Sequence, residues 1–291
     1  MNSRERFLAT MNYQPRDRVP WGEMGFWPET IEVWHKQGMP QDVHLADFFG
    51  FDRLREGVGI HLDLLPGFDP EVLEETDEYR IVRRATGVTA KEFKGEHSFR
   101  MPQWLAFPLQ TRDDWEKEFK PRLNPDSPAR YPLYWAEQVR TWAQRDYPLA
   151  MQMGSVFGWL RNWMGLEAIC LALYDDPEWV QQMMDDLVDF VCAASQRLLQ
   201  EVELDYILLW EDMAYNHGSL ISPTIVREWM MPRYKKITAF LRDNGVKWIM
   251  VDCDGQTESL FPIWLEAGID GMHPCEIAAG CDPVAVRPPA C

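Results

Sequence analysis

The densest set of reactive side chains in the sequence is Asp252-Cys253-Asp254-Gly255. Side chains alternate along a strand, so the two aspartates share one face and Cys253 takes the other. Two carboxylates on one face repel. The repulsion either raises one pKa toward the range of proton transfer or draws in a cation. The structural alternative is that Asp254 caps a following helix. Two further acid-bearing segments stand in similar places: Glu211-Asp212 after the apolar run Tyr206–Trp210, and His273-Pro274-Cys275-Glu276 after residues 268–272. A loop acid paired with arginine, or capping the helix that Ser222 opens, is the alternative for Glu211 and Asp212. His273, Cys275, Cys253 and Cys281 are residue types that bind zinc, but their spacings match no finger or ribbon. If a divalent metal binds, the set would be Asp252, Asp254, His273 and Cys275. The sequence holds no G-x-G-x-x-G, P-loop or G-x-S-x-G, so dinucleotide, ATP and serine-hydrolase chemistry has no residues to rest on.

Positioning these residues needs a regular scaffold, and the second half of the chain has one. Residues 147–154 read as an apolar strand ending in Gly154. Asp176-Pro177-Glu178 opens a long amphipathic helix, with Asp at the cap and Pro at the first position. Tyr206–Trp210 is the next strand. Ser222-Pro223 opens another helix, bent near Pro232 and closed by Gly245. Residues 248–251 and 268–272 are two more strands. Near-continuous apolar strands alternating with helices predict a parallel sheet covered on both faces, hence an α/β fold. With no phosphate-binding glycine turn, a (β/α)8 TIM-type barrel is favoured over a doubly wound sheet, in one domain spanning residues 1–291. Strand ends converge at the active face of such a barrel. The catalytic candidates are therefore Asp252, Asp254, Glu211, Asp212 and His273, with Trp21, Glu23, Gln152, Trp210 and Glu276 binding substrate.

The first half is less regular. Residues 3–13 predict a short helix capped by Ser3 and stopped by Pro15, and Val19-Pro20-Trp21 a short strand followed by a loop bearing Glu23. A helix is expected near residues 29–36. Segments with β character at 57–60, 79–82 and 88–93, with Ala85-Thr86-Gly87 as a turn, predict a small β-hairpin insertion at about 55–110.

Composition bounds the function. The 291 residues carry 29 Lys and Arg against 46 Asp and Glu, a formal charge of −17, which repels nucleic acid and anionic lipid. No apolar run is long enough to span a membrane, and the start leads into no signal-like core. The six cysteines form no disulfide framework. A cytoplasmic protein acting on a small molecule is expected, with a homodimer left open.

Several segments together carry a resemblance: Arg6-Phe7-Leu8 with Pro15-Arg16-Asp17-Arg18-Val19-Pro20, Gly154 with Phe157-Gly158, Asp175-Asp176-Pro177-Glu178, Trp210-Glu211-Asp212-Met213-Ala214 with Ile221-Ser222-Pro223, and Asp252-Cys253-Asp254-Gly255 leading to Ala267-Gly268-Ile269-Asp270-Gly271. In order and spacing they resemble the uroporphyrinogen decarboxylase superfamily, which includes cobamide-dependent methyltransferases. The resemblance covers nearly the whole chain and implies a (β/α)8 barrel. After the first strand, where the decarboxylases carry arginines that hold the substrate's carboxylates, this sequence reads Gly22-Glu23-Met24-Gly25-Phe26-Trp27. An acidic, aromatic loop cannot neutralise eight carboxylates. Where the methyltransferases carry a zinc-binding His-x-Cys-Gly, it reads Asp252-Cys253-Asp254-Gly255, and carboxylates are harder ligands than thiolates. The resemblance therefore implies corrinoid-linked methyl transfer of the O-demethylation type, with methylcobamide as cofactor and a corrinoid protein as partner. The alternatives are uroporphyrinogen decarboxylation in porphyrin biosynthesis and a non-catalytic small-molecule-binding barrel. Set against the family, the closing Val286-Arg287-Pro288-Pro289-Ala290-Cys291 also implies a barrel lacking its last strand.

Overall fold

The computed structural model describes residues 1–23, 25–54, 56–95 and 100–285. Three helices come first: α1 (Ser3–Met11), α2 (Pro28–Lys36) and α3 (Leu45–Phe49). Strand β1 (Glu56–Gly57) is followed by the four strands of an insertion, β2 (Glu71–Glu75), β3 (Tyr79–Arg83), β4 (Thr89–Phe93) and β5 (Gln103–Ala106). After α4 (Arg112–Asp114) and α5 (Trp135–Trp142) comes β6 (Leu149–Gln152). Helices α6 (Gly158–Met164), α7 (Leu166–Asp175) and α8 (Pro177–Glu201) lead to β7 (Tyr206–Trp210). A two-stranded ribbon, β8 (Ala214–Tyr215) and β9 (Gly218–Ser219), precedes α9 (Pro223–Ile225) and α10 (Met231–Asp243). Strand β10 (Ile249–Asp252), α11 (Phe261–Glu266) and β11 (Gly271–His273) complete the series.

Strands β1, β6, β7, β10 and β11 form one sheet in that order, every pair parallel. The order follows the chain without reversal. A doubly wound sheet reverses at a switch point; a singly wound barrel wall does not, and this α/β fold has the barrel's connectivity. Register sets Asp252 beside Trp210 on one neighbouring strand and His273 on the other. Paired residues of parallel strands point to the same face, so these three side chains share a level and a side.

The core lies between the sheet and its helices. Helix α8 starts where Asp176 accepts the Trp179 N–H at 3.3 Å, with Pro177 in the first turn, and Arg112 clamps the Asp176 carboxylate. It buries Val180, Met183, Met184, Leu187, Val191 and Leu198, each contributing about 1.5–3 kcal/mol relative to exposure. The strand starts, at the opposite end from the acids, are held by ion pairs. Buried Asp205 accepts from Arg4, Arg145 and the Leu149 N–H. Buried Asp52 takes Arg6, Arg18 and the Trp21 N–H. Arg6 also holds Asp17. The Arg6 and Arg16-Asp17-Arg18 segments thus strap the N-terminal helix to the stability end of the sheet.

Several local expectations are corrected. Val19-Pro20-Trp21 is not a strand: Pro20 has no N–H to give, and the segment's backbone link is the Asp52 N–H on the Trp21 carbonyl at 2.6 Å. Residues 57–60 do not belong to the insertion, because Gly57 pairs with Ala150 in the main sheet. The insertion is a four-stranded antiparallel sheet rather than a hairpin, although Gly87, at φ +83°, does turn β3 into β4. Helix α1 is capped by Asn2, whose side chain accepts the Glu5 N–H, not by Ser3. The bend near Pro232 is a wide helical turn at Val226–Met230, where the missing proline N–H leaves the regular ladder incomplete. No helix among the described residues is long and apolar enough to cross a membrane. Residues 286–291, on which the missing-strand expectation rested, lie outside the described residues.

Candidate functional site

Three strands deliver the acids. Asp252 ends β10 with its Oδ1 3.9 Å from His273 Nδ1 at the end of β11. The chain then turns outward. Cys253 is fully buried, its Sγ accepting the Met213 N–H at 3.2 Å, while Asp254 is exposed. Burial pushes the Cys253 thiol up to about 12, so it stays protonated. Gly255 sits at φ +93°, and a Cβ there would lie 2.6 Å from the Tyr215 nitrogen. Only glycine lets this turn lie against the β8 backbone. Its N–H donates to Glu276 Oε2 at 2.7 Å, which draws the carboxylate from the β11 end toward Asp254.

Asp254 is the group most affected. Partial desolvation and the charges of Asp212, Asp252 and Glu276 raise its pKa above the ordinary carboxylate value, and His273 opposes them only in part. No Lys or Arg forms an ion pair with it among the described residues. Asp212 is held differently. Arg161 donates to its Oδ2 at 2.9 Å and to its carbonyl, and the guanidinium lies 5.3 Å from the Trp210 ring centroid. Asp212 adopts φ +45°, a left-handed conformation that aspartate tolerates better than most residues.

Glu211 has a different task. It is fully buried and accepts from the Ser155 hydroxyl at 2.9 Å and the N–H groups of Val156 and Phe157 at 2.8 and 2.9 Å. Tyr234, also buried, turns its hydroxyl toward the same carboxylate. Burial raises the Glu211 pKa against these hydrogen bonds. A carboxylate so enclosed holds the start of α6 and is out of reach of a substrate.

The structure thus brings together Asp212, Asp252, Asp254, His273 and Glu276, with Trp210 beside them. Gln152 ends β6, exposed, two strands away from Asp252. Trp21 is exposed and packs edge-on against Phe51, 4.9 Å between centroids, and Glu23 is exposed on the same segment. Helix α11 begins at Phe261 behind Leu260, so Asp254 caps no helix. No three His, Cys, Asp or Glu side chains among the described residues form a group that could hold a metal ion, so Asp252, Asp254, His273 and Cys275 are not a preassembled metal site. Arg161, Ser155 and Tyr234 escaped sequence reasoning. The Gly158 that opens α6 was the nearest signal: a Cβ there would meet the Glu211 carbonyl and Ser155 Oγ at 2.8 Å. Concavities of about 480 and 540 Å³ lie elsewhere, near Trp248 and near Phe68.

A family model described as uroporphyrinogen decarboxylase (URO-D) matches residues 93–276, well over half of the chain. The fold is similar to that of a solved methyltransferase from Methanosarcina mazei, with a TM-score of 0.53 and 14% sequence identity over 94% of this chain and 76% of that one. No curated protein sequence matches this one.

Proposed function

The chain belongs to the uroporphyrinogen decarboxylase family, and from that premise we propose that it is a methyl-transfer enzyme of the O-demethylation type, with Asp254 as its proton donor. The observation that carries this reading is the crowding of Asp254 by Asp212, Asp252 and Glu276, which favours the protonated carboxyl. When a methyl group leaves an ether oxygen, that oxygen departs as an anion unless a proton reaches it. A carboxyl whose surroundings favour the protonated form is suited to supply one. His273, beside Asp252, can return a proton from solvent between turnovers. Arg161 holds the Asp212 carboxylate in place at 2.9 Å, on the side from which its charge acts on Asp254.

The methyl acceptor would be a corrinoid carried by a partner protein, whose reduced cobalt supplies the nucleophile. Trp210 and Gln152 offer an aromatic face and an amide at strand ends where such a ring could lie. The zinc-thiolate variant of the chemistry does not fit, because Cys253 is buried and protonated. A substrate bearing many carboxylates fits poorly as well. Arg161, the arginine beside these acids, is committed to Asp212, and the chain carries −17.

The test is methylcobalamin formation from reduced cobalamin and a panel of small methyl ethers, with uroporphyrinogen run in parallel. Demethylation should fall about 10²–10⁴-fold in Asp254→Asn. Undiminished turnover in that variant would overturn the role of Asp254. Appreciable coproporphyrinogen formation would overturn the reaction class in favour of decarboxylation, and ligand binding without turnover of any substrate would favour a non-catalytic barrel.

A further inference from the structure

The concavity of about 540 Å³ near Phe68 lies where the inserted sheet meets the body of the fold, and none of the clustered acids lines it. Its volume is that of a small-molecule site. The walls come from both sides of the junction. Pro66 and Phe68 lead into β2, Arg83 ends β3 and Pro108 leaves β5, while Arg122 reaches in from the 3-10 turn Lys120–Leu123. Gly87 lets the walls close, because a Cβ there would lie 2.9 Å from both the Phe68 ring and Pro108. The lining carries two guanidiniums against the single carboxylate of Asp69, a local excess of positive charge in a chain of −17.

Both cations have donors to spare. The Arg122 guanidinium carbon sits 4.4 Å from the Phe68 ring centroid, and Nη1 donates to the Glu118 carbonyl and carboxylate at 2.6 and 3.0 Å. Its Nε–H is buried with no partner among the described residues, and Nη2 on the same edge has none either. An unpaired cationic donor in a buried place costs free energy, and this edge is one with which arginine grips two oxygens of a single anion. Arg83 gives Nε to the Asp69 carbonyl and Nη2 to Glu71, which leaves Nη1. Glu71 and Glu118 are each about half exposed, and exposed pairs hold weakly. We propose that this junction binds a small aromatic carboxylate, with the carboxylate on the Nε–Nη2 edge of Arg122 and within reach of Arg83, and the ring against Pro66, Pro108 and Phe68. An inorganic anion would leave those apolar walls wet. Because the walls belong to the insertion and to the body, the bound ligand ties the two together. The inference stands independently of the methyl-transfer reading.

Calorimetric titration of the full-length protein with benzoate, and separately with inorganic phosphate, tests it. Benzoate should bind and raise the thermal midpoint, and phosphate should bind more weakly. Arg122→Gln should lower the affinity for benzoate about 10–100-fold, and Arg83→Gln should lower it less. Arg122→Lys keeps the charge without the two-donor edge and should also weaken binding, which guards against a folding defect in the glutamine variant. Benzoate affinity unchanged in both Arg122 variants, phosphate bound as tightly as benzoate, or no binding of benzoate at about 10 mM would overturn the proposal.

Discussion

Asp254 shows how residue-scale chemistry depends on neighbours far apart in sequence. Its companions come from the ends of β7, β10 and β11, and none is near enough along the chain to be expected from spacing except Asp252. The raised pKa has a consequence for stability. Between the ordinary carboxylate pKa and the raised one, the folded state binds more protons than the unfolded state, so stability falls as pH rises through that window. Asp254→Asn removes this dependence. Its thermal midpoint should exceed that of the parent near neutral pH, and the difference should shrink as the pH is lowered toward the ordinary carboxylate value. Paired thermal scans across pH check this, and a midpoint lowered equally at every pH would mean that Asp254 stabilises the fold.

At the scale of elements, α6 depends on an acid from another strand. Its first N–H groups have no partners within the helix, and Glu211, delivered by the end of β7, takes that of Gly158 at 3.3 Å together with those of Val156 and Phe157 in the turn leading into it. Glu211→Ala would leave these donors buried and unpaired. The expected cost is about 3–5 kcal/mol, read from urea unfolding. A loss under about 1 kcal/mol would mean that water replaces the carboxylate without penalty. The same dependence explains Gly158: a side chain there would push against the very carbonyl and hydroxyl that position Glu211.

For the whole molecule, a charge of −17 means that self-repulsion opposes the compact state. Raising salt from about 10 mM to about 150 mM shortens the screening length from about 30 Å to about 8 Å and should raise the thermal midpoint; a fall would show that the ion pairs around Asp52 and Asp205 outweigh the net repulsion. The sequence alone was sufficient for the α/β class, the run Tyr206–Trp210, the Asp176-Pro177 helix start and the acids at strand ends, because apolar periodicity, caps and prolines act within a few residues. It misassigned residues 19–21 and 57–60, since whether a short extended segment joins a sheet depends on a partner strand supplied by distant chain. It also could not separate Glu211 from Asp212. Adjacent in sequence, they leave β7 in opposite directions, one into a nest of buried N–H groups and the other to Arg161 and the cluster around Asp254. Only tertiary packing decides which carboxylate is desolvated and which faces other charges, because both effects arise from groups brought close by the fold rather than by the chain.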